Sequence, residues 1–360
     1  MSRVLITGGA GPLGAAVARR LLADPAFDVR ISDERPAPQW MREGCEMHRG
    51  DLRVPAQASA ATKRCSHVVH LAGFQQLARR PAPSVGDGAG AGLPHTLLAY
   101  EGALHGAVTR AAIERGVERF LYVSSPLVFE RAELFPTPEE HLEECRAPRS
   151  AAGFARLSGE RLCRAAQEEH GLAYAVCRPF GAYGPASPAT DSSASAVEPA
   201  AAAKRPLAGP AADLGELIER AGAGARHPEV FGSVERTLTP THVDDLAEGI
   251  LAALSSSAAL NEDFNLAAAR ELSLAEIAQI AWNAGADRAG APPTRGAEGP
   301  SLKSLPAHEA EPPRSYPSAA KARELLGWEA RIDAADGIAA LASTAGELAA
   351  LSIRASAAGD

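Results

Sequence analysis

Residues 2–14 read SRVLITGGAGPLG, an apolar run that enters a turn with Gly8, Gly11 and Gly14 spaced G-x-x-G-x-x-G. The segment GAAVARRLLAD follows at once with the i, i+3, i+4 apolar spacing of an amphipathic helix. Strand, glycine turn and helix in that order have a specific physical use. Glycine permits the tight turn, lets backbone approach a pyrophosphate and allows the helix to sit close to the sheet. The helix start, with Pro12 and Leu13 inside the turn, then presents free N–H groups to the phosphates.

A second apolar run, DVRISD, ends at Asp33, nineteen residues after Gly14. An acid at this distance accepts hydrogen bonds from a ribose 2′-hydroxyl and repels a 2′-phosphate. The stretch therefore predicts a dinucleotide site for NAD rather than NADP, with Arg35 leaving the second cofactor open.

Outward from this stretch, HVVHLAG (67–73), RFLYVSS (119–125) and YAVCRPF (174–180) read as further buried strands. Between the later strands, ALHGAVTRAAIERG and ARLSGERLCRAAQEEHG have helical periodicity. Repeated strand and helix predict an α/β Rossmann fold, a doubly wound parallel sheet covered on both faces. Ala/Pro/Gly/Ser-rich stretches at 79–95, 186–213 and 285–314 interrupt the pattern and read as surface loops or insertions. The expected division is a dinucleotide-binding domain over 1–180 and a smaller α/β substrate lobe over most of 181–333. Segments near 236–260 return to the first domain, and 334–360 forms an Ala-rich helix or tail.

Bulk properties narrow the function. Apolar residues make up 46% of the 360, as in a globular protein rather than a disordered one, and the net charge of −8 carries no basic footprint for nucleic acid. No uncharged apolar run reaches membrane-spanning length. Five scattered cysteines without a C-x-x-C pair, and no secretory leader ahead of the first strand, predict a reducing cytoplasm.

In ordered pieces the chain resembles the extended short-chain dehydrogenase/reductase family, the NAD-dependent sugar-nucleotide epimerases and dehydratases. The pieces are TGGAGPLG, Asp33, GDLR (50–53), HLAG (70–73), GVERFLYVSSPLVF (116–129), RPFGAYGP (178–185), HVDDLAEGI (242–250) and KARELLGW (321–328). The resemblance implies a nucleotide-sugar substrate in the C-terminal lobe. It puts Asp51 and Leu52 near the adenine, and Leu71, Ala72, Gly73 and Pro179 along the cofactor. A homodimer is common in the family and is an expectation here.

The family's chemistry uses a Tyr-x-x-x-Lys pair with a serine or threonine. Ser125 takes the serine position, as a catalytic and substrate-binding residue. Twenty-seven residues later, PRSAAGFARLSGE puts Ala152 at the tyrosine position and Arg156 at the lysine position. Alanine has no proton to exchange. Arg156 can still hold ribose hydroxyls, but it stays cationic and has no phenol to tune. Other departures lie nearby. Gly181 replaces an asparagine near the substrate phosphates, EGALH (101–105) replaces N-x-x-G-T, and Arg236 is the nearest candidate for a phosphate-binding arginine.

Several motifs have plainer readings. The histidines of HVVH face opposite sides of a strand, and His–Asp in HVDD reads as a strand end followed by an Asp helix cap, so no metal is expected. The acids of EEHLEEC (139–145) read as a solvated face, with Glu139, Glu140 or Cys145 as substitute proton carriers in the alternative. Two functions result: an epimerase, dehydratase or reductase with weakened acid–base catalysis, or a catalytically inactive NAD-binding sensor or partner subunit.

Overall fold

The structure is a computed structural model that describes residues 2–73, 94–185, 214–231, 233–288, 299–305 and 312–357. The low-complexity segment 186–213, and most of 79–95, lie outside the described residues. Its main element is a seven-stranded parallel sheet. The strands are β1 (Ser2–Thr7), β2 (Phe27–Ser32), β3 (Glu46–His48), β4 (His67–His70), β5 (Arg119–Val123), β6 (Tyr174–Pro179) and an edge strand, Glu262–Leu266. Their order is edge strand, β6, β5, β4, β1, β2, β3.

Alternation along the strands divides the core. Val4, Ile6, Val29, Ile31 and Leu121 point to one face, where helix Pro12–Leu22 and helix Val243–Ser255 cover them. Leu5, Val68, Phe120 and Tyr122 point to the other, against helix Pro94–Glu114 and helix Ala151–His170. A strand buried on both faces needs apolar residues at every position, which is why these runs read as continuous rather than alternating.

β1 pairs with β2 on one side and β4 on the other. The chain thus reverses its direction of travel across the sheet beside β1, and such a switch point opens a crevice at the carboxyl ends of the strands. The glycine turn lies at that crevice.

The sheet takes more of the late sequence than a return near 236–260. The edge strand Glu262–Leu266 pairs with β6, and Ala322 and Trp328 belong to the core under helix Val243–Ser255. Of the helix or tail expected over 334–360, the structure forms the helix, Ala334–Ala357, and packs it into the lobe. Its Ile338, Leu341 and Ala342 bury against Ile218 and Ile277 of helices Leu214–Gly222 and Leu274–Arg288. Helix Leu274–Arg288 also enters the stretch expected to be loop from residue 285.

Candidate cofactor groove and its altered reaction helix

The glycine turn is built by close approach. Gly8 adopts φ +71°, and a Cβ there would stand 2.8 Å from the amide nitrogen of Ala72. A Cβ on Gly14 would stand 2.6 Å from the Cα of Gly9. Both are closer than side chains tolerate, so the glycines are steric requirements of the turn. Pro12 takes the first helical position, where its missing N–H costs nothing, and Leu13 packs beside it on the sheet core. Leu71 and Ala72 lie against the turn: their amides donate to the carbonyl of Thr7, at 3.1 Å, and to its Oγ1, also at 3.1 Å.

An open, shallow cleft runs from this turn, lined by Gly8, Asp33, Asp51, Leu52, Ala72 and Tyr100, among others. Five of these six were expected from the sequence. Tyr100, with neighbouring Leu104, comes from helix Pro94–Glu114. It has no motif of its own, and only the fold places it on the cleft. Arg53 bonds Asp51 and lies 4.5 Å over the Tyr100 ring, closing that end of the groove.

Asp33 is fully buried at its side chain. It accepts from the amide of Ala10 at 2.9 Å and from the Arg35 guanidinium at 2.7 and 3.0 Å. Arg35 also donates to the carbonyl of Gly8 at 3.3 Å. The acid that would read a ribose hydroxyl and the base that would read a 2′-phosphate are thus one ion pair across the turn.

The reaction side is different. Helix Ala151–His170 begins at Ser150, whose Oγ accepts from the amide of Gly153 at 3.0 Å and donates to Glu130. A Cβ on Gly153 would stand 2.7 Å from the carbonyl of Leu127, so this helix start is pressed onto the serine turn. Ala152 is 5% exposed, and it carries no proton to exchange. Ser125 caps the short 3-10 helix Pro126–Phe129 by accepting from the amide of Leu127 at 3.2 Å. Its hydroxyl proton remains available to donate. Beside it, the Ser124 hydroxyl is buried and has no hydrogen-bond partner among the described residues.

Arg156 is buried against the backbone of Gly73, the residue after Ala72 of the cleft wall. It donates to the carbonyl of Val123 at 3.4 Å and lies 3.8 Å from a Glu101 carboxylate oxygen. Burial opposes its charge, but Glu101 and Tyr122 outweigh that penalty and hold its pKa above the ordinary arginine value. Both Arg156 and Glu101 press on Gly73: a Cβ there would stand 2.9 Å from Glu101 Oε1 and nearer still to the guanidinium.

Other expectations separate from the groove. Gly181 has φ +54°, and a Cβ would collide with the carbonyl of Thr239, so no side chain can act from this position without moving that backbone. Pro179 ends β6 next to it. Arg236 lies in the C-terminal lobe, where its carbonyl accepts from the amide of Leu274 at 3.1 Å.

Glu139 is buried at the sheet edge, accepting from the amide of Asn265 at 2.7 Å, and burial pushes its pKa up to about 7. Glu140 is exposed, and Glu143 pairs with Arg161 and Arg164 on the surface, as a solvated face should. The cap of helix Val243–Ser255 is His242, not an aspartate. Its Nδ1 accepts from the amide of Asp244 at 3.2 Å, while Asp245 is turned inward to accept from the amide of Ile332 at 2.9 Å. No metal-binding group of His, Cys, Asp or Glu occurs among the described residues, and no helix among them is long and apolar enough to cross a membrane.

Comparison with known proteins agrees with this architecture. The chain is 25% identical over 287 residues to GDP-mannose 3,5-epimerase 1 of Oryza sativa subsp. indica, covering 77% of this chain and 67% of that one. UDP-glucose 4-epimerase of Thermotoga maritima, solved with UDP-glucose, superposes with TM-score 0.72 at 23% identity, over 96% of this chain and 99% of that one. The dTDP-glucose 4,6-dehydratase DesIV of Streptomyces venezuelae, solved with NAD, gives TM-score 0.70 at 19% identity, over 94% and 95%. The NAD dependent epimerase/dehydratase family model matches residues 4–267. With that match running from the first strand to the sheet's edge strand, the chain belongs to the NAD dependent epimerase/dehydratase family.

Proposed function

We propose that this protein binds NAD and acts on a nucleotide sugar or related small molecule by hydride transfer, as an epimerase, dehydratase or reductase with weakened acid–base catalysis. The observation that carries this reading is the groove. A glycine turn that tolerates no Cβ borders the cleft, and a buried arginine packs against Gly73, the residue after Ala72 of the cleft wall. The residues fit a dinucleotide. Gly8, Gly11, Pro12, Leu13 and Gly14 would hold the pyrophosphate, Asp33 the ribose, Asp51 and Leu52 the adenine, and Arg156 the second ribose. NAD, when bound, supplies a hydride acceptor and donor.

The chain's own residues must then manage the proton. Ser125 can donate a hydrogen bond to a substrate hydroxyl, and Arg156 can orient ribose hydroxyls, but neither accepts a proton at neutral pH. Loss of a general base typically costs about 10²–10⁴-fold in rate. Water or the substrate itself must therefore take the proton in a slower reaction. Glu139 lies at Asn265 on the sheet edge and is held there by a backbone amide, which weighs against it as the substitute. The five cysteines are free, which supports a reducing, cytoplasmic setting. The homodimer reading is carried by family resemblance.

The buried methyl group of Ala152 favours one second reading, an inactive NAD-binding sensor or partner subunit. Incubation with NAD and a panel of nucleotide sugars separates the two. Slow turnover by the native chain supports the enzyme. Turnover created only by the double change Ala152→Tyr, Arg156→Lys supports the sensor. Absence of NAD uptake in calorimetry ends both.

A further inference from the structure

At the end of the cleft that Arg53 closes, the side chains of Asp51, Arg53 and Tyr100 meet, two from the turn after β3 and one from helix Pro94–Glu114. Asp51 and Tyr100 both line the cleft, and so do Leu52 and Leu104, which are 6% and 3% exposed. An apolar floor, a carboxylate and a ring are the materials of a purine site. The carboxylate, however, is already in use.

Asp51 Oδ1 accepts from the backbone amide and from Nε of Arg53, each at 2.9 Å. Its Oδ2 accepts from Arg53 Nη2 at 2.6 Å and from Nε at 3.1 Å. An ionised carboxylate offers about four lone-pair sites, and these contacts occupy them. The mutual hydrogen bonds hold Asp51 below the usual carboxylate range and Arg53 above the ordinary arginine value, so both are charged at neutral pH. The 6-amino group of an adenine must displace an Arg53 bond to reach Asp51. That exchange replaces a donor that carries charge with a neutral one, and nothing is gained.

What is left for a base is a flat surface. The Arg53 guanidinium lies 4.5 Å from the centroid of the Tyr100 ring. Planar guanidinium and aromatic ring both stack on nucleobases, and Asp51 holds the guanidinium in place on the ring. A purine that enters the cleft adds a further layer to this stack. Every purine presents the same π face, whatever group stands at C6.

We propose that Tyr100, backed by Arg53, holds the base of the dinucleotide by stacking, and that the site does not distinguish a 6-amino from a 6-oxo purine. The inference rests on the reading that the adenine of NAD lies at residues 51 and 52. It gives Asp51 the task of anchoring Arg53 rather than of reading the base.

Calorimetric titration of the full-length chain with NAD and, separately, nicotinamide hypoxanthine dinucleotide tests it, since an oxo group replaces the 6-amino group in the second. The native protein is expected to bind the two with dissociation constants within about threefold of each other, where a carboxylate that read the amino group would cost the analogue about tenfold or more. Tyr100→Leu keeps apolar bulk and removes the π face. It is expected to weaken both ligands about tenfold with their ratio unchanged, while Tyr100→Phe keeps the native affinities. A merely structural Tyr100 would tolerate leucine without loss of affinity. If Tyr100→Leu does not fold, Arg53→Ala, which frees the Asp51 carboxylate, is expected to create a preference for NAD over the analogue. A larger native preference for NAD, unchanged affinities in Tyr100→Leu, or an unchanged ratio in Arg53→Ala overturns the proposal with the NAD reading intact. Failure of the native protein to bind either ligand overturns that reading and the proposal with it.

Discussion

The two ends of the groove have kept different things. At the glycine turn the geometry is unforgiving: Gly8 and Gly14 admit no side chain, and the cleft beyond them holds the expected residues. At the helix that the family resemblance reads as the reaction helix the architecture is equally tight, with Gly153 pressed onto the serine turn and a buried alanine at position 152. Steric complementarity and proton chemistry are thus separable. A helix docks through backbone proximity and buried pairs, so its place in the fold does not depend on the side chain it carries at position 152.

The comparison is most exposed to attack where buried charge pins the reaction helix. Arg178, fully buried, donates to Glu160 of that helix at 2.8 and 2.9 Å and to Asp263 of the edge strand at 2.5 Å. Arg178→Met is expected to destabilise the fold by about 3–5 kcal/mol, because two carboxylates lose their cation. Urea unfolding measures it. A loss under 1 kcal/mol would mean that the helix is held by packing alone.

Next in size is Glu139. Its folded-state pKa, pushed up to about 7, lies above the ordinary glutamate value, so the folded chain binds the extra proton. Stability is therefore greatest below about pH 4.5 as far as this group is concerned, and falls as pH rises towards 7, by up to about 3 kcal/mol. Glu139→Gln keeps an acceptor for the Asn265 amide and should flatten that limb of the stability–pH curve. An unchanged curve would show that Glu139 titrates like an exposed acid.

Gly14→Val tests the other end. The added atoms collide with Gly9, and NAD affinity is expected to fall by about a hundredfold, some 2.7 kcal/mol, in calorimetry. Retained affinity would place the dinucleotide elsewhere. The smallest effect is that of Ser125→Ala, which removes the cap on the amide of Leu127 and should cost about 0.5–1 kcal/mol in thermal unfolding. If a hydrogen bond to substrate is its further role, turnover falls more than stability does.

The glycine turn and Asp33 were legible because each is local, the spacing that makes the turn being itself the signal, whereas the 50–53 and 70–73 segments were read from family resemblance. Tyr100 was not, since it reaches the cleft only after helix Pro94–Glu114 docks. Gly181 read as a lost asparagine, but the approach of Thr239 from some sixty residues away explains why glycine is there. His242 is the cap in place of the expected aspartate because the helix begins at Val243, ahead of both aspartates. The Ala-rich terminus read as either a helix or a tail because alanine gives little periodic contrast; Ile338 and Leu341 are enough to bury it as a helix.

By itself the order of residues determined the layered α/β architecture, the position of the dinucleotide turn and the absence of a phenol at residue 152. These depend on periodicity, steric size and side-chain chemistry, all of which are local. Tertiary structure alone decided that Glu101, His105, His70 and Arg156, drawn from two helices and a strand, share one buried site. Their polar contacts have meaning only at a few ångströms' separation in a medium that water does not screen, and no spacing along the chain encodes that distance.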